Sequence, residues 1–281
     1  MELQRFNEPI AFRAHVGAFL ETHEAENCVQ IGMLTTRSLI PSADPIYCAT
    51  VVDGAAIQAV AIMTPPYHLL ITPAAPSAAV DLIAHDLAGE AVMVTGVMAD
   101  PATSLRFAQT WQDVRGGGFA PTMSERLYRL ARVIPITGVA GRMRAISEAD
   151  RPLLVQWLAD FEQEALGTAL DHAQIHHRID RYLTLAAFGL YLWEVDGEVV
   201  ALAAHSGPTP HGMRIGPVYT PPGLRGHGYA RALVADLSQM LLAGGRQFCF
   251  LFTDLTNPTS NHIYQAIGYT PVSDVQVYRF T

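Results

Sequence analysis

The chain has no lysine. All 18 of its basic residues are arginine, set against 26 acids, for a formal net charge of −8. That absence removes the G-x-x-x-x-G-K-[ST] phosphate loop, whose lysine must reach the terminal phosphates. Residues 1–142 and 143–281 each hold nine arginines and thirteen acids, so neither half carries a basic arm and no nucleic-acid partner is expected. Cysteine is scarce. Cys28, Cys48 and Cys249 share no zinc or redox spacing, so reduced, buried thiols and no metal are expected. His172 and His176 stand four apart on a helical pattern but lack the glutamate of H-E-x-x-H and a third ligand, and read as a solvated face. No apolar run approaches the 18 residues of a membrane helix, and Met1–Glu8 lack an export-signal pattern, so a cytoplasmic protein without a membrane partner is expected. There is no G-x-S-x-G nucleophile elbow.

What is present is enough apolar sequence for a large core: 50% of 281 residues are hydrophobic. One stretch organises the rest. Ile215–Tyr219 reads as a strand, and Pro221, Pro222 and Gly223 stop it. Arg225-Gly226-His227-Gly228-Tyr229-Ala230 then leads into a helix with Leu233, Leu237, Met240 and Leu241 on one face. The first N–H groups of a helix lack internal partners, and the peptide dipoles add partial positive charge there. Glycines at 226 and 228 let the backbone approach a phosphate closely. Arg225 and Arg231 flank the loop and are placed for charge-assisted contacts. Strand, glycine loop and helix start together form an anion site.

Further on, Phe248–Thr253 is a continuous apolar run suited to a strand buried on both faces. Asn257 is placed to cap a helix with Pro258 at its first position, and Gly268 ends it. The R-x-x-G-x-A loop resembles the pyrophosphate signature of the GNAT superfamily of acyl-CoA-dependent N-acyltransferases. In that pattern an Asn after the following strand precedes a small residue, a Tyr and a Gly-aromatic pair. Asn257, Ser260, Tyr264, Gly268 and Tyr269 fit this spacing without a gap, and the resemblance covers about the last 140 residues.

The resemblance implies an α/β (α+β) fold with a mixed central sheet flanked by helices. The Pro- and Gly-bearing segment 132–142 is the best boundary, which divides the chain into 1–138 and 143–281. The first half echoes the second. Val52-Asp53-Gly54 answers Val195-Asp196-Gly197, Ile71-Thr72-Pro73 answers Tyr219-Thr220-Pro221, and Asp100-Pro101 answers Asn257-Pro258. Yet Ala74-Ala75-Pro76-Ser77 replaces the glycine loop, and Phe107 stands where the second half has Tyr264. The expectation is a tandem duplication with a degenerate first half and a catalytic second half.

The resemblance further implies direct transfer of an acetyl group from acetyl-CoA to a primary amine of a small molecule or peptide. Backbone N–H groups at Val218, Tyr219 and Thr220 polarise the thioester and pair with pantetheine. The loop residues Arg225, Gly226, His227, Gly228, Tyr229, Ala230 and Arg231 hold the diphosphate, with Asn257 and Ser260 at the second motif. Tyr264 protonates the leaving thiolate, or else packs as a core aromatic. For the base, Glu162, Glu164 and His205 remain open, with Phe161 and Tyr182 on the acceptor wall. The acidic background mildly favours a cationic acceptor. Two other readings stay open: a sensor that binds acyl-CoA without turnover, and an enzyme using a different acyl-CoA. Oligomeric state is also open, a homodimer included.

Overall fold

The computed structural model describes residues 1–40, 46–90, 92–167 and 169–281, and of Leu166 the backbone alone. Two compact units emerge. The first comprises Met1–Tyr128, Phe252–Pro258 and Pro271–Thr281; the second comprises Arg129–Leu251 and Thr259–Thr270.

In the first unit, β1 (Glu2–Arg5), α1 (Pro9–Glu21) and α2 (Cys28–Leu39) lead to β2 (Tyr47–Asp53), β3 (Ala56–Met63) and β4 (Leu69–Ile71). There follow α3 (Ser77–Ala88), β5 (Gly96–Ala99), α4 (Pro101–Arg115) and β6 (Phe119–Leu130). Side chains alternate across a strand, and this sheet is covered on both faces. Cys48, Val60 and Ile62 meet Phe12, Val16, Leu20 and Leu34 of α1 and α2. Ala49, Val51, Ala61 and Met63 point the other way, onto Val80, Ile83, Leu87 and Phe107 of α3 and α4. Asp100 caps α4 as expected, accepting from the amides of Ala102 and Thr103.

The last strand of the chain, β12 (Thr270–Phe280), runs antiparallel against β5, matching Val277 with Met98 and Arg279 with Gly96. A Cβ at Gly96 would lie 2.3 Å from the Tyr278 carbonyl oxygen, so only glycine admits this approach. Arg126 on β6 holds Asp274 through two hydrogen bonds of 2.6 and 2.9 Å. The order within this unit is thus β1-β2-β3-β4-β5-β12-β6.

In the second unit, β7 (Arg142–Ala145), α5 (Arg151–Phe161), α6 (His172–Thr184), β8 (Gly189–Val195), β9 (Glu198–Ser206) and β10 (Gly212–Tyr219) come first. Then follow α7 (Tyr229–Ala243), β11 (Phe248–Asp254) and α8 (Pro258–Ile267). Its strands are ordered β11-β10-β9-β8-β7. Leu154, Trp157 and Leu158 of α5 and Ile175 and Ile179 of α6 bury one face with Leu190, Leu192 and Leu202; α7 packs on the strands as well. Ser147 caps a 3-10 turn through a capping box with Asp150, and α5 starts directly after it.

The order of helices and strands in β1 to β6 recurs in β7 to β12, so the echo in the sequence is matched by an echo in the elements. The compact units nonetheless differ from the 1–138 and 143–281 division. The segment 129–141 is tied to the second unit: Ile134 N–H donates to Ile267 O at 2.7 Å, and Trp193 Nε1 to Ala140 O at 2.8 Å. Residues 252–258 and 271–281 group with the first. β1 and β7 were missed because four-residue strands bearing arginine carry little alternation. The apolar run 91–97 reads in the sequence as a strand; its first residue lies outside those described, and β5 starts at Gly96.

Candidate functional site

β10 pairs in parallel with β11 only at its start, where Gly212, Met213 and Arg214 match Phe248, Cys249 and Phe250. Beyond Arg214 no β11 partner is found among the described residues, although β10 stays paired to β9 through Tyr219. A bulge between Ile215 and Val218 marks the divergence. The backbone groups on this side of Ile215–Tyr219 therefore face a gap, as at a sheet edge.

The loop after β10 is built for approach. Pro222–Leu224 form a 3-10 turn, and Gly226 and Gly228 follow with φ of +84° and +83°. Gly228 is the N-cap of α7 and has no side chain to satisfy the helix amides, and the first turn of α7 carries no acid. The N–H groups of the first turn are left for a ligand. A Cβ at Gly228 would meet Val139 Cγ2 at 3.3 Å. Tyr229, Ala230 and Arg231 form the first turn of the helix and are half-buried, while His227 is exposed and stacks on the Tyr229 ring at 5.3 Å.

Two buried polar atoms flank this loop without a hydrogen-bond partner among the described residues: Thr220 Oγ1 and Arg231 Nε. Leaving such groups unsatisfied costs about 1–3 kcal/mol each. A ligand bearing several acceptor oxygens fits both those atoms and the helix amides. Arg225 is engaged differently. Its Nε donates to Thr220 O at 2.8 Å and its Nη2 to Glu164 Oε2 at 2.7 Å, so it braces the loop.

The carboxylates proposed as bases both have partners. Glu162 opens a π-helical turn, Glu162–Leu166, is only 3% exposed, and pairs with Arg178 of α6. Glu164 pairs with Arg225. Removing the charge at Glu162 strips Arg178 of that buried counter-ion. Glu162→Gln is therefore expected to lower stability by about 1–3 kcal/mol, measured by urea denaturation; an unchanged midpoint would show that the pair contributes nothing.

His205 is buried, with Nδ1 lacking a partner, and burial, aided by Arg246, lowers its pKa to about 4. It is neutral at pH 7 and stacks against Tyr191 at 6.0 Å. Tyr219 contributes its ring to the core, edge-on to Trp157 at 6.1 Å, so only its backbone faces the gap.

Tyr264, on α8, is 8% exposed and lies edge-on to Tyr269 at 6.0 Å. Its hydroxyl makes no hydrogen bond among the described residues, and burial pushes its pKa up to about 12. Tyr269, by contrast, shares a 2.9 Å hydrogen bond with Ser238. Asn257 directly precedes α8, and Ser260 lies in its first turn.

Three arginines escaped the sequence reading. Burial raises the pKa of the Tyr182 phenol, and the charges of Arg178, Arg214 and Arg181 oppose that rise. Arg181 stacks over Phe188 at 4.3 Å. Arg214, half-buried on β10, has no hydrogen bond or ion pair among the described residues. The i, i+3, i+4 spacing of Arg178, Arg181 and Tyr182 was the available signal.

The equivalent positions in the first unit are built differently. β4 and β5 pair only through Leu69 with Val97 and Leu70 with Met98. The N–H of Ala74, in the loop after β4, already donates to Asp100 Oδ2 at 2.9 Å. Pro76 caps α3, and Phe107 is fully buried between Trp111 and Phe280.

Residues 151–269 match the model of the acetyltransferase (GNAT) family. No curated protein matches the sequence. Solved structures resemble the chain over almost its whole length. A Drosophila protein superposes with a TM-score of 0.69 at 12% identity, covering 99% of this chain and 98% of its own. A GCN5-related N-acetyltransferase from Sphaerobacter thermophilus gives 0.61 at 14%, covering 99% and 95%. A tandem GNAT protein from the clavulanic acid biosynthesis pathway gives 0.56 at 14%, covering 99% and 97%. At these identities the likeness establishes the fold. Among the described residues no helix is long and apolar enough to cross a membrane.

Proposed function

From the premise that residues 151–269 are an acetyltransferase domain of the GNAT family, we propose that the second unit transfers the acetyl group of acetyl-CoA directly to a primary amine. The observation that carries this reading is the gap beside β10 running into the Gly226–Gly228 loop, with Thr220 Oγ1 and Arg231 Nε left without partners. Residues 143–281 carry the catalytic parts, and residues 1–138 a GNAT-like half without a phosphate loop.

The co-substrate supplies an activated acyl group as a thioester. The helix amides at Gly228–Arg231 and the Arg231 guanidinium bind its diphosphate. Free backbone groups of Val218–Thr220 pair with the pantetheine amides as an added strand and stabilise the oxyanion. The Tyr264 phenol stays protonated at pH 7 and hands its proton to the leaving sulfur. The incoming amine must lose a proton. At an alkyl ammonium pKa of about 10.4 this costs roughly 4–5 kcal/mol at pH 7. Glu162 and Glu164 remain the candidate acceptors for that proton, each acting from within its arginine pair.

The arginines around Tyr182 alter the expected acceptor. Of these, Arg214 has no hydrogen bond or ion pair among the described residues, so an amine that also bears a carboxylate would be held by it, whereas a cationic polyamine would meet its like charge. The test is thiol release from acetyl-CoA with a panel of amino acids, dipeptides and polyamines. Turnover with carboxylate-bearing amines is expected. Coenzyme A binding without thiol release from any amine would instead establish a sensor.

A further inference from the structure

The first unit contains a small cleft that is open to solvent. It lies where β4 and β5 part, at Leu70, Ile71, Met98 and Ala99, and is closed by Phe252 and Val275. α2 and the turn before it contribute Gln30 and Glu26, one helical turn apart.

Besides the neutral hydroxyl of Ser273, the polar side chains of this cleft fall into two kinds. Asp100 and Asp274 line it but are satisfied. Asp100 accepts three backbone N–H groups, from Ala74, Ala102 and Thr103, and Asp274 is clamped by Arg126. Gln30 is only 4% exposed, and its side-chain amide makes no hydrogen bond among the described residues. Glu26 is half-buried and has neither an ion pair nor a hydrogen bond among them. No basic side chain lines the cleft among the described residues. A buried amide aimed into a cleft beside an uncompensated carboxylate is an unfinished hydrogen-bond set.

We propose that this cleft binds a small organic ammonium, with Glu26 and Gln30 Oε1 accepting from its N–H groups and the apolar walls taking its alkyl chain. An ammonium supplies three donors and the missing charge, while Leu70, Met98 and Phe252 offer no partner to a second polar group. Anions are disfavoured: Glu26 repels them, no basic side chain lines the cleft among the described residues, and the Ala74 N–H is already given to Asp100. The site therefore differs in chemistry from the anion site of the second unit, and it stands whether or not the acetyl-transfer reading holds.

The test uses the full chain labelled with [13C-methyl]methionine, the Met98 resonance being identified by Met98→Leu. Titration with n-butylammonium is expected to move Met98 saturably, whereas 1-butanol and butyrate leave it in place. Glu26→Gln is expected to weaken the response at least tenfold, about 1.4 kcal/mol. An unmoved Met98, an equal response to butyrate or butanol, shifts confined to methionines of the second unit, or full affinity in Glu26→Gln would each overturn the proposal. If Glu26→Gln does not fold, the comparison of the three probes on the unaltered protein decides.

Discussion

Replacing Gly228 with aspartate is expected to abolish measurable coenzyme A binding, a loss of at least a hundredfold, while leaving the protein folded. The choice of aspartate separates the two effects. Gly228 sits at φ +83°, and a side chain there costs about 1–2 kcal/mol, least of all for Asn and Asp. Its Cβ meets a flexible Val139 methyl at 3.3 Å, a contact that a small shift relieves. An acid at a helix N-terminus also stabilises the helix. The carboxylate thus takes the place of the diphosphate rather than wrecking the loop. Calorimetric titration with coenzyme A reads the first effect and the melting temperature the second. Retained binding in a folded Gly228→Asp protein would move the cofactor elsewhere.

Tyr264→Phe is expected to lower kcat by about a hundredfold or more, the usual contribution of a positioned general acid, with coenzyme A affinity unchanged. Stability gives little room for confusion here. The hydroxyl has no hydrogen-bond partner among the described residues, so deleting it leaves no orphaned group behind and the fold is expected to hold. The pH dependence adds a second reading. The acid acts in its protonated form, so its contribution is lost only as pH rises through its pKa, and burial has pushed that to about 12. No falling limb from Tyr264 is expected below about pH 10 in the kcat profile. Unaltered turnover in the variant would leave the tyrosine as a core aromatic.

Local chemistry made much of this molecule legible. Asp100-Pro101 was readable as a helix start, because a capping carboxylate and a proline with no N–H to lose both belong there. Gly226 and Gly228 were readable for the same kind of reason, and both adopt the positive φ that glycine alone takes freely. Interactions between distant residues were not readable. Nothing in the order of residues says that Glu164 meets Arg225 across 61 positions, or that Glu162 meets Arg178 across 16. Those two contacts turn both candidate bases from free carboxylates into paired ones. The charge of Arg214 on Tyr182 was hidden likewise, because Arg214 lies on β10 and Tyr182 on α6. The cleft at Glu26 and Gln30 was invisible because Phe252 and Val275, which help close it, come from the far end of the chain.

The place of β12 has a consequence for biosynthesis. Residues 1–128 leave the ribosome long before Pro271–Thr281, the segment that covers the edge of β5. The intervening 142 residues, 129–270, take roughly 7–30 s to translate at about 5–20 residues per second. Throughout that interval the nascent first unit exposes an unpaired strand to its neighbours on a polysome, where an open edge invites aggregation. Any truncation that removes the final eleven residues would make that temporary exposure permanent.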